Sequence, residues 1–126
     1  ETGDCSIRNA FAANDAVSFG SIINAYTQPF LLLYNHRKDR GYRMEAFAKA
    51  IRQSAARPVC IGVIGEHKKA CARYMQRTTG IRAQAVERPK EWIQAQNVRH
   101  VLCAGNIKGE GRQFLEEMIE EARQNV

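Results

Sequence analysis

The stretch Phe30-Leu31-Leu32-Leu33-Tyr34, preceded by Gln28-Pro29 and followed by Asn35-His36-Arg37, decides the fold class of this chain. An uninterrupted apolar run has no solvent-facing side, which is the pattern of a short strand covered on both faces. Strands of that kind belong to parallel sheets, whose connections are helices lying on the sheet. The flanks supply those helices. Upstream, Phe19, Ile22, Ile23 and Tyr26 recur at helical spacing and predict a helix over residues 15–26, with Asn14 as its cap and Gln28-Pro29 as its end. Downstream, Met44, Phe47, Ala48, Ile51 and Ala55 mark a second amphipathic helix, ended by Arg57-Pro58.

The unit then repeats. Residues 59–64 read as a strand, and Ala70, Cys71, Tyr74 and Met75 form the inner face of a helix closing near Thr79-Gly80. A weaker strand follows at 82–86, then a short helix at 89–96 anchored by Trp92, a buried strand at 100–104 and a closing helix at 111–124. The order α-β-α-β-α-β-α-β-α predicts an α/β fold: an open, mostly parallel sheet with helices on both faces. Residues 1–8 read as a linker and 9–126 as a single domain, without internal repeats or low-complexity tracts.

Composition narrows the function classes. A chain of 126 residues with 19 Lys and Arg against 13 Asp and Glu is one basic domain of ordinary make-up, which argues against disorder and fibrous structure. No apolar run approaches the roughly 20 residues of a membrane span, and no signal-peptide pattern opens the sequence. Of the four cysteines, Cys60 and Cys103 lie in apolar runs and read as buried, reduced side chains. Cys5 and Cys71 stand apart, with no CxxC pair and no zinc spacing, so no metal site is expected and a reducing, cytoplasmic setting is. Positive charge gathers between Arg37 and Arg57, seven bases against two acids, while residues 110–126 carry five acids against two bases. That asymmetry implies an anion-attracting face and an acidic terminal helix, although Lys49, Arg52 and Arg57 equally suit the solvated side of a helix. Aromatic residues do not interleave with the bases as a stacking platform requires, so no nucleic-acid partner is expected.

In open α/β sheets ligands bind beyond the carboxyl ends of the strands. Two loops there stand out. Residues 35–43 pack four bases and one acid, Asp39, around His36 just before a helix, a density that invites an anion. Residues 105–111 hold three glycines that let backbone approach a ligand and also run into a helix N-terminus. Both loops suit a phosphate or a carboxylate, and both admit a plainer reading, as turns and as local Asp39 ion pairs. Neither completes a GxxxxGK[ST] or GxGxxG motif, and no GxSxG, HExxH or paired-carboxylate pattern is present. Glu66 and His67 follow the second strand at the same edge, as substrate contacts or as a cap with Glu66 facing the helix dipole.

Three separated segments carry a resemblance. Asn9-Ala-Phe-Ala-Ala-Asn-Asp-Ala-Val-Ser18, the post-strand Asn35-x-Arg-x-Asp-Arg40 and Ala104-Gly-Asn-Ile-x-Gly109 resemble the C-terminal domain of the Mur ligase superfamily. Within it, they are similar to the catalytic subunit of poly-γ-glutamate synthases, CapB/PgsB, over nearly the whole chain. The resemblance implies a Rossmann-like domain of an ATP-dependent acid–amino acid ligase. In such an enzyme a carboxylate becomes an acyl phosphate and is attacked by the amine of an amino acid. It further implies nucleotide contacts at Asn14, Arg37, Asp39 and Arg40, a ligand-side loop at Gly105, Asn106 and Gly109, and amino-acid contacts at Glu66 and His67. Ala13 and Asp15 stand where many relatives have histidine and proline. The family's P-loop and Mg²⁺ ligands belong to preceding domains, so ATP and Mg²⁺ are expected cofactors of the full-length enzyme. No catalytic residue is expected in this chain, which should be inactive by itself. Expected partners are glutamate or poly-γ-glutamate, the enzyme's own N-terminal domains and the membrane subunits of a capsule-polymer synthase at the inner face of the cell membrane. The competing expectation is a stand-alone, non-catalytic α/β module that binds a phosphorylated ligand or a protein.

Overall fold

Strands and helices alternate along the chain in the computed structural model, which describes residues 6–11, 16–38, 41–106 and 109–124. They are β1 (Ser6–Asn9), α1 (Ala16–Asn24), β2 (Leu31–His36), α2 (Gly41–Gln53), β3 (Ile61–Gly65), α3 (Lys68–Thr79), β4 (Ala83–Ala85), α4 (Pro89–Ala95), β5 (His100–Gly105) and α5 (Glu110–Gln124). The strands form one sheet in the order β1-β5-β2-β3-β4, and every pairing is parallel. The apolar run that opened the sequence reading lies in its centre: all six residues of β2 are buried, between β5 and β3. The expected Rossmann-like α/β class is therefore the observed one.

Because side chains alternate along a strand, β2 feeds two cores. Leu32 and Tyr34 join Phe19 and Ile23 of α1, Phe47 and Ile51 of α2, and Cys71 and Met75 of α3. Phe19 stacks on Phe47 with ring centroids 4.7 Å apart, and Tyr34 meets Phe47 edge-on at 5.5 Å. Leu31 and Leu33 join Trp92 and Ile93 of α4 and Phe114 and Met118 of α5 on the opposite face. Trp92 lies flat against β3: a Cβ at Gly62 would stand 2.8 Å from its ring. Each buried large apolar side chain is worth about 1.5–3 kcal/mol, so these two layers hold the sheet. Cys60, Cys71 and Cys103 are buried, and burial pushes the Cys71 thiol up to about 12, as suits packing residues.

Three sequence expectations need correction. Residues 6–8 are not linker, because Ser6–Asn9 pairs residue for residue with His100–Cys103 of β5. The strand was hidden because β1 is short, polar and mostly exposed at the sheet edge. The element order accordingly begins with β rather than α. Asn35 and His36 are not loop residues; both are buried and continue β2, paired with Ile64 and Gly65 of β3.

Topology fixes where the strand ends diverge. The chain leaves β2 for α2 on the three-helix face, and it leaves the neighbouring β5 for α5 on the other face. The carboxyl ends of β2 and β5 thus border a crevice, the switch point at which ligands of such sheets bind.

Candidate functional site

Asn35 occupies that crevice. It projects to the two-helix face, and its Nδ2 donates to the carbonyl of Asn106 while Asn106 N donates to Asn35 O at 2.9 Å. Glycines make room for it. A Cβ at Gly65 would stand 2.5 Å from Asn35 Oδ1, and one at Gly111 2.5 Å from Nδ2. Gly65 also has φ of +96°, a conformation that side chains rarely adopt. One buried amide therefore ties together the ends of β2 and β5 at a point also crowded by β3 and the first turn of α5.

A second network surrounds it. Glu110, in the first turn of α5, accepts from Gly65 N at 3.0 Å through Oε2 and from Lys68 Nζ at 3.2 Å through Oε1. Lys68 also pairs with Glu87 at 3.2 Å. Burial pulls its ammonium toward lower pKa, but the hydrogen bonds and charges of Glu110 and Glu87 outweigh that and hold it above the ordinary lysine value. The Lys38 backbone N–H donates to Glu66 Oε1 at 3.2 Å, binding the loop after β2 to the loop after β3. His36 turns to the three-helix face, with Nδ1 2.8 Å from the Glu66 carbonyl. A donating Nδ1–H makes Nε2 the acceptor, and it is buried without a partner among the described residues.

Above these groups lies a cleft of about 370 Å³ lined by Asn35, His36, Arg37, Gly65, Glu66, Gly109 and Glu110. It offers one guanidinium, two carboxylates and the end of a 15-residue helix whose first N–H groups have no intrahelical acceptor. Such a mixed lining suits a ligand carrying both charges, with anionic groups toward Arg37 and the helix and ammonium toward Glu66 and Glu110. Among the described residues, no group of three or more His, Cys, Asp or Glu is placed to share a metal ion.

Of the residues singled out by sequence, Arg37, Glu66 and Gly109 line the cleft, and Gly105 and Asn106 lie beside Asn35. His67 does not join the lining. It is the N-cap of α3 in a left-handed conformation, φ 52°, and its side chain makes no capping bond. Glu66 immediately precedes that cap, and its carboxylate accepts from the Lys38 N–H. Asn14, Asp39, Arg40 and Cys5 lie outside the described residues. Sequence reasoning missed Asn35, Glu110 and Lys68 as parts of the site. The available signal was a polar residue ending an apolar strand, in a chain with glycines at the ends of two other strands.

A five-stranded parallel sheet with helices on both faces and a charged cleft at its switch point defines the class: a Rossmann-like α/β domain. The chain belongs to the poly-gamma-glutamate synthase CapB C-terminal domain family, whose model matches residues 2–121. Membership connects it with poly-γ-glutamate synthesis, the work of a ligase in the full-length enzyme. No curated protein matches the chain. No helix among the described residues is long and apolar enough to cross a membrane.

Proposed function

We propose that this domain forms one wall of the site of an ATP-dependent acid–amino acid ligase, where it helps bind ATP and the amino-acid substrate during acyl-phosphate chemistry. The observation that supports the reading is the cleft that gathers Arg37 and Glu66, from the loops after β2 and β3, and Glu110, from the first turn of α5, around Asn35. The residues fit part of the task. Arg37 and the N-terminus of α5 would attract phosphate or carboxylate, while Glu66 and Glu110 would orient an ammonium group. ATP supplies the phosphoryl group that activates the carboxylate. The P-loop and the Mg²⁺ ligands belong to other domains of the enzyme, and closure of this domain over them would exclude water from the reacting groups. Glutamate or the growing polymer, the enzyme's N-terminal domains and membrane subunits at the cytoplasmic face are the partners on this reading.

The test uses the full-length enzyme. Arg37→Ala is expected to lower kcat/KM about tenfold to a hundredfold with folding intact, as loss of one positioned cation should. Arg40→Ala is expected to act in the same direction. Unchanged kcat and KM in both variants would remove the assignment. The 126-residue chain alone, given glutamate and ATP, is expected to release no glutamate-dependent ADP.

A further inference from the structure

The sheet separates charge as well as helices. On the three-helix face, α2 and α3 expose Lys49, Arg52, Lys69, Arg73 and Arg77, with Glu45 as their acid. On the opposite face α5 exposes Glu116, Glu117 and Glu120. Each face also bears apolar surface that the fold does not use. Between α1 and α2 runs a groove of about 480 Å³, where Val17, Gly20, Ala46 and Ala50 alternate with polar serine, asparagine and glutamine residues and Lys49 stands in the wall. Val17 is 81% exposed there, and a Cβ at Gly20 would meet nothing, so the groove is open at that point. On α5, Ile119 is 54% exposed, with Glu116 one turn before it and Glu120 beside it. A partly apolar groove with Lys49 at its wall and Arg52 one turn further along α2, and an exposed Ile119 flanked by glutamates, are complementary in both charge and character.

We propose that two copies of this chain associate head to tail, α5 of one lying in the α1–α2 groove of the next. Ile119 covers Val17 and the small residues of the groove floor, while Glu116 and Glu120 face Lys49 and Arg52. The second copy is the occupant because the complementary element is present on the same molecule, on the opposite face. The contact joins unlike surfaces, so repetition closes a ring or extends a row rather than forming a two-fold dimer. Its charges lie at the solvent-exposed rim, which makes the association modest and strongly salt-sensitive.

Sedimentation of the 14.2 kDa chain across concentration tests this. At low salt the average mass is expected to rise above that of one chain, and at about 1 M salt, where the screening length is about 3 Å, to fall back to it. The double reversals Glu116→Lys/Glu120→Lys and Lys49→Glu/Arg52→Glu should each weaken self-association by at least about tenfold, since each removes one half of the contact. All four sites are exposed, and circular dichroism checks that both variants keep the fold. An equimolar mixture of the two variants should recover association, because each supplies what the other has lost. A chain that sediments as a single copy at every concentration in low salt overturns the proposal. Association that survives either reversal, or a mixture that stays monomeric, overturns it equally.

Discussion

The two faces of the sheet take alternate residues from the same strands and use them for different ends. Along β2, Leu32 and Tyr34 project to the three-helix face and are closed over by Phe47 and Phe19. Leu31 and Leu33 project to the two-helix face, but the next residue on that side is Asn35, and from there the contacts are hydrogen bonds to Asn106 within a setting of close glycines. The first face is sealed by stacked rings almost to the strand ends. The second stops being apolar where the cleft begins. At the carboxyl ends of the strands, apolar packing is thus concentrated on one side and the geometry of the site on the other. Phe47→Ala strikes the first side at its centre, removing a fully buried ring that touches two others. A loss of about 3–5 kcal/mol is expected in urea denaturation, as for other buried aromatic truncations. A loss below about 1 kcal/mol would mean that the rings can be repacked and that the contrast between the faces is not one of stability.

Gly111→Ala examines the other side. In an ordinary helix the change gains up to about 1 kcal/mol, because alanine is the better helix former. Here the new Cβ would stand 2.5 Å from Asn35 Nδ2 and 2.8 Å from the Asn106 carbonyl, so a loss of about 1–3 kcal/mol is expected instead. Asn35→Ala withdraws the donor to Asn106 and should cost about 1–3 kcal/mol as well. The two effects share one space, so they should not add: once Asn35 is shortened, the alanine at 111 loses its closest clash and keeps only the one with the Asn106 carbonyl. A double-mutant cycle that comes out additive would show that the amide and the glycine are not in contact, and the crevice would lose its organising residue.

What was legible in the sequence divides along the same line. Apolar periodicity located β2, β3 and β5 and the helices with their inner faces, because burial forces a pattern that local sequence must carry. It left out β1, whose exposed residues carry no such pattern and whose place depends on pairing with β5, far along the chain. It also ended β2 at Tyr34, since Asn35 and His36 are polar and their burial follows from the neighbours that pair with them. At the site, Arg37, Glu66 and Gly109 were visible from their position after strands. Glu110 and Lys68 were not, for their partnership joins α3 to α5 across 42 positions of sequence.

That partnership gives the smallest expected effect and the cleanest sign. Lys68 Nζ stands between Glu110 and Glu87 with both contacts at 3.2 Å, at the border of the cleft where the two-helix face meets the loop after β3. Replacing it with methionine keeps the length of the stem and removes the charge. Ion pairs with partly exposed carboxylates are worth at most about 1 kcal/mol, so the loss at neutral pH should be of that order. The lysine is held above the ordinary lysine value, which means that folding favours the charged form. Its contribution is therefore complete below that value and disappears as pH rises through the higher value of the folded state. Groups remote from Lys68 cancel in the comparison. From pH 7 upward, the difference in urea stability between the wild-type chain and Lys68→Met should stay constant until the alkaline range and close there. If it closed instead between pH 7 and about pH 9, lysine ionisation could not be the cause. The link from α3 to α5 would then owe its strength to packing of the stem rather than to the charge between the two carboxylates.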